Sequence, residues 1–91
     1  MPIDVELLSD ADYYELLHKE LTECVTPFGW RVWMHRDRPW SLSVQTHGWT
    51  YSITAYRYRV PCIEPENTSK SLQKLKDILE EILTKNRSVV D

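Results

Sequence analysis

Few side chains in this sequence are of a type that could make or break bonds. His18, His35 and His47 could transfer protons, and the thiols of Cys24 and Cys62 could act as nucleophiles or metal ligands. Such chemistry needs the groups to converge in one pocket or to recur at ligand spacing. No CxxC, HxxxH, HExxH or GxSxG spacing and no P-loop is present, and two glycines cannot build a glycine-rich phosphate cradle. The five candidates also fall on different expected elements: His18 on a helix, His35 at a strand edge, His47 in a turn. We therefore expect no enzyme, no cofactor and no metal site. The arrangement left for catalysis or ligand carriage is a cleft beside the link from Val60 to Pro65, holding Cys62 or a histidine; a thiol unusually reactive at neutral pH is its signature.

Residues suited to recognition are more numerous. Arg31, Trp33 and His35 alternate along one stretch, and Tyr56 and Tyr58 along another. Tryptophan, tyrosine and arginine are the types that anchor protein interfaces. Arg36 and Arg38 flank Asp37 between two alternating runs, and Arg57 and Arg59 follow the last of them. A guanidinium fork suits carboxylate or phosphate, so these four form a candidate anion contact if the fold gathers them. The competing expectation is that Asp37 and the acidic helices neutralise them internally.

The elements that position these residues follow from hydrophobic period. Ser9 caps a helix over about residues 10 to 25, with Tyr14, Leu17, Leu21 and Cys24 as its inner stripe and Tyr13, Leu16 and Val25 widening it. Pro27 and Gly29 end it, and from Trp30 the period becomes two. Trp30, Val32 and Met34 point one way; Arg31, Trp33 and His35 point the other. A second run sets Trp40, Leu42 and Val44 against Ser41, Ser43 and Gln45, and a third sets Tyr51, Ile53 and Ala55 against Thr50, Ser52 and Thr54.

A hairpin must bring like faces opposite each other. With His47-Gly48 as the turn, Val44 faces Tyr51 and Leu42 faces Ile53. With Arg36, Asp37 and Arg38 as a three-residue loop, Met34 faces Trp40 and Val32 faces Leu42. Pro61 and Pro65 bracket an extended link, and Asn67 or Thr68 caps a second helix to about residue 86, whose apolar set is Leu72, Leu75, Ile78, Leu79, Ile82 and Leu83. The expected fold class is α+β in the order helix, three-stranded antiparallel meander, helix (αβββα), both helices on one face of the sheet. Residues 1–91 form a single domain with an N-terminal arm at 1–8, where strand and helical turn both remain open, and a frayed tail at 87–91.

Bulk properties limit the function classes. The chain is 42% hydrophobic and 27% charged, ordinary for a globular domain. No apolar run approaches the roughly 18 residues of a membrane span, and the N-terminus lacks a signal-peptide pattern, which predicts a soluble cytoplasmic protein. Two cysteines are too few for a secreted disulfide scaffold, so free, inward-facing thiols are expected. The net charge of −3 is unevenly spread: residues 1–25 hold seven acids against Lys19, and residues 26–60 hold five arginines against Asp37.

The helix, three strands, helix order is similar to that of double-stranded-RNA-binding domains, and Lys70 and Lys74 lie in the first turns of the second helix, where that family places phosphate-contacting lysines. The helix start here, Asn67-Thr68-Ser69-Lys70-Ser71-Leu72-Gln73-Lys74, lacks the family's paired lysines and alanine-rich continuation, and the acidic net charge gives no strong phosphate footprint. No family is recognised from the residues themselves. The sequence thus favours a protein-binding module, an adaptor, assembly factor, regulator or inhibitor, working as a monomer or homodimer and docking a larger protein through Arg31, Trp33, His35, Tyr56 and Tyr58. Nucleic-acid binding is the alternative.

Overall fold

The computed structural model describes residues 8–57 and 59–87, with backbone alone at 86 and 87. The N-terminal arm up to residue 7, Tyr58 and the last four residues of the expected tail lie outside the described residues. In chain order the elements are α1 (Asp10–Val25), a 3-10 turn (Thr26–Phe28), β1 (Arg31–His35), β2 (Arg38–Gln45), β3 (Thr50–Thr54), β4 (Cys62–Glu64) and α2 (Lys70–Arg87). The sheet is antiparallel in the order β1-β2-β3-β4. Four strands replace the expected three: the link between Pro61 and Pro65 adds a short strand, with Ile63 opposite Ile53.

Each helix begins where a side-chain oxygen meets an orphan amide. Ser9 Oγ accepts the Asp12 N–H at 3.2 Å, as the sequence predicts. The second helix is capped by Ser69, not by Asn67 or Thr68: Ser69 Oγ accepts the Leu72 N–H at 3.2 Å. Asn67 Oδ1 instead accepts the Ser69 N–H at 3.0 Å, a side-chain turn that leads into the cap. Gly29 closes α1 and its 3-10 extension with φ at 77°, the left-handed conformation that glycine adopts without a Cβ penalty.

The β2–β3 register is the expected one, with Val44 opposite Tyr51 and Leu42 opposite Ile53. Thr46 clamps the turn, its hydroxyl bonding both the amide and the carbonyl of Trp49 around His47 and Gly48. The β1–β2 hairpin differs by two residues. Its turn is Arg36-Asp37 alone, Val32 faces Val44, Met34 faces Leu42, and residues 39 to 41 of β2 have no counterpart on β1. Pro39 has no N–H to give a ladder, so the strand bulges there. A shift of two preserves parity, and the two faces keep their expected residues.

One face of the sheet carries Leu42, Val44, Tyr51, Ile53, Ala55 and Ile63 into a single core with Leu17, Leu21 and Val25 of α1 and Leu72, Leu75, Leu79 and Ile82 of α2. Both helices therefore bury their stripes against the same side. Cys24 leaves the expected stripe: the inward positions run 14, 17, 21, 25, which turns residue 24 toward solvent. Both cysteines are free and exposed rather than inward-facing.

Candidate functional site

The face turned away from the helices is a ladder of short polar side chains crossed by one aromatic. Trp33, Ser43, Ser52 and Glu64 stand opposite one another across all four strands. Arg31, Gln45 and Thr50 form the next row on one side, and Ser41, Thr54 and Cys62 the row on the other. Trp33 is 43% exposed on this surface, Arg31 is exposed, and His35 is half-buried, its Nε2 sharing a 3.1 Å hydrogen bond with Ser43 Oγ. Period-two alternation puts Arg31, Trp33 and His35 on one side, and the hydrogen bond ties His35 to the central strand instead of leaving it free to rotate.

Tyr56 sits beyond the end of β3, 45% exposed, stacked on Trp40 with ring centroids 5.8 Å apart. The Arg59 guanidinium lies over the Tyr56 ring, 5.7 Å from its centroid. Arg36 and Arg38 are exposed at the nearby β1–β2 turn. Three of the four expected anion-contacting arginines thus remain on the surface at one end of the sheet. Arg57 does not. Its side chain is 8% exposed, and its Nη1 donates to Asp10 Oδ1 at 2.8 Å at the start of α1. The guanidinium also lies 5.1 Å from the Tyr13 ring centroid, and the Arg57 amide donates to the Tyr14 hydroxyl at 3.3 Å. An acidic helix start neutralises it, as the competing expectation has it, and turns it into a strap between α1 and the sheet.

The opposite end of the sheet carries groups that sequence reasoning left without a role. Phe28 and Trp49 are 36% and 47% exposed, and Lys74 Nζ lies 3.7 Å from the Phe28 ring centroid. His47 Nε2 bonds the Phe28 carbonyl at 2.8 Å, which locks the α1–β1 connection to the β2–β3 turn. A tryptophan immediately after a His-Gly turn is the signal that could have flagged this end.

Beside it the Tyr51 hydroxyl meets Ser69 Oγ at 2.6 Å, Ser71 Oγ at 3.2 Å and Asn67 Oδ1 at 3.3 Å. Burial pushes this phenol up, and the Ser69 and Ser71 hydroxyls, which can donate to its ionised form, hold it below its ordinary value. Asn67 Nδ2 is buried without a partner among the described residues.

The cleft expected beside the Val60 to Pro65 link exists as an open groove of about 960 Å³ between β4 and α2, lined by Pro61, Cys62, Ile63, Leu79 and Leu83 among others. Its charged residues are Lys76, Glu64, Glu66 and Glu80, with Lys76 Nζ 3.6 Å from Glu66 Oε1. None of the three histidines lines it. At Cys24, partial burial and then the nearby carboxylates of Glu81 and Glu20 push the thiol up. No group of three or more metal-ligating side chains occurs among the described residues. No helix among them is long and apolar enough to cross a membrane.

A scan of protein-family models and searches of curated proteins and of solved structures find no match to this chain.

Proposed function

We propose that this chain is a non-catalytic protein-binding module, an adaptor, assembly factor or inhibitor, which docks its helix-free sheet face onto a larger protein. One observation carries the reading: among the described residues both helices pack on one side of the sheet, and the other side carries Trp33, 43% exposed, on its edge strand β1. Seryl and threonyl side chains keep the surface flat and free of charge at its centre, and a tryptophan with arginine beside it supplies the anchor types that dominate interface energetics. Arg36, Arg38 and Arg59, exposed beyond one end of the strands, add a cationic rim suited to an acidic contact on the partner.

The test compares what the tagged wild-type chain and its Trp33→Ala variant retrieve from the source cells. The variant should lose the co-purifying protein, with binding weakened roughly thirtyfold, about 2 kcal/mol, while its melting temperature holds. Retrieval that survives the substitution sinks the reading.

A second reading, nucleic-acid binding, draws on Phe28, Trp49 and Lys74 at the start of α2, since aromatics beside lysine suit bases and phosphates. A mobility-shift titration of RNA and DNA at low and moderate salt separates the two, because saturable, salt-sensitive binding belongs to this one alone.

A further inference from the structure

The two edges of the sheet are built differently. The outer edge of β4 is three residues long, carries Glu64, and is flanked by Pro61 and Pro65, whose nitrogens cannot donate to a further strand. These are the devices that keep an edge from recruiting another chain. The edge at β1 is guarded only by the charge of Arg31 at its start. It is five residues of extended backbone, Arg31–His35, with Val32, Trp33 and Met34 between its polar ends and no proline. The bulge in this hairpin places its extra residues on β2, so β1 itself runs unbroken. Among the described residues no strand pairs with its outer side. Met34 is 38% exposed on the core side of this edge and Trp33 43% exposed on the other.

We propose that β1 pairs antiparallel with β1 of a second copy of this chain, about a two-fold axis at Trp33, and joins the two sheets into one. This register is the one the residues complement. It sets Trp33 beside the second copy's Trp33 on the open face and Val32 opposite the second copy's Met34 on the core side, so both exposed apolar side chains gain cover. It also sets Arg31 on the cross-strand diagonal to Asp37 of the second copy's turn, within reach of an arginine side chain, and does so twice by symmetry. Within one chain Arg31 starts β1 and Asp37 lies in the turn past its far end, with about 13 Å of extended strand from Arg31 to His35 between them. Neither belongs to an ion pair among the described residues. The inference concerns the edge, but it shares Trp33 and Arg31 with the proposed docking face; Asp37 belongs to the edge pairing alone, so Asp37→Arg and its rescue by Arg31→Glu distinguish failure of the dimer from failure of the docking reading.

Sedimentation velocity of the full chain, from micromolar to several hundred micromolar, tests it together with a charge swap. The wild type should approach twice its 10.8 kDa mass as concentration rises. Arg31→Glu and Asp37→Arg should each weaken association about tenfold, and the double variant should restore it, because the pair forms only between copies. Met34→Lys should leave a folded monomer by circular dichroism. A wild-type chain that stays monomeric throughout overturns the proposal. So does a dimer unaffected by the single charge reversals, or a double variant no tighter than either single one.

Discussion

Tyr51 shows how one side chain can serve two layers. Its ring is fully buried between the helices and the sheet, and its hydroxyl reaches the capping segment of α2. Tyr51→Phe keeps the ring and strands part of the Ser69–Ser71–Asn67 network, so urea unfolding should show a loss of about 1–2 kcal/mol. The control, Tyr56→Phe, alters a surface hydroxyl and should stay within about 0.5 kcal/mol. Cys24 offers a different readout. The fold favours its protonated thiol, so alkylation by iodoacetamide at neutral pH should be slower than that of a cysteine in an unstructured peptide. The sign follows for stability: a raised folded value means the contribution is whole below the ordinary 9.0 and lost as pH rises through the folded value. Labelling of Cys24 as fast as the peptide control contradicts this.

At the scale of elements, the joints matter more than the spans. Gly29 turns the chain from the 3-10 extension into β1 at φ 77°, and a Cβ there would stand 3.4 Å from the His47 ring. Gly29→Ala combines left-handed strain with a tight approach to that ring. It should cost about 1 kcal/mol or more in denaturant unfolding, against no detectable cost at Gly48, where a Cβ meets nothing. The spans themselves were legible. The 14, 17, 21 spacing and the alternation from Val32 to Ala55 place the right residues inward, because period reports face directly. The joints were less so. The hairpin slip at Pro39 depends on which ladder bonds a proline removes, the Ser69 cap on a side-chain turn by Asn67, and β4 on tertiary pairing too short to leave a periodic signal. The site was legible in the same measure: Arg31, Trp33 and His35 follow from parity, whereas Arg57 was separable from Arg36, Arg38 and Arg59 only by knowing where the first turn of α1 comes to rest.

The whole molecule rests on one core, and that core has a consequence for how it unfolds. Leu21 of α1 and Ile63 of β4 sit at elements distant in the sheet order, the helix packing mainly on β1 and β2 and the strand closing the far edge. Both nonetheless belong to the same buried cluster, bridged by Ile53 and Leu42, which stand in one cross-strand row with Ile63. Among the described residues there is one buried cluster, so loss of packing at either site is felt across both layers. Leu21→Ala should cost about 3 kcal/mol and Ile63→Ala about 2–3 kcal/mol, and each should move a single transition seen alike by far-ultraviolet circular dichroism and tryptophan fluorescence. The fluorescence probe is informative because none of the four tryptophans lies on β4: Trp30 and Trp33 lie at β1, Trp40 on β2 and Trp49 just before β3. If Ile63→Ala shifts the dichroism curve but leaves the fluorescence curve in place, β4 and its side of the core unfold as a separate unit. The open face, carried mainly by β1 to β3, would then keep its shape when that edge is lost.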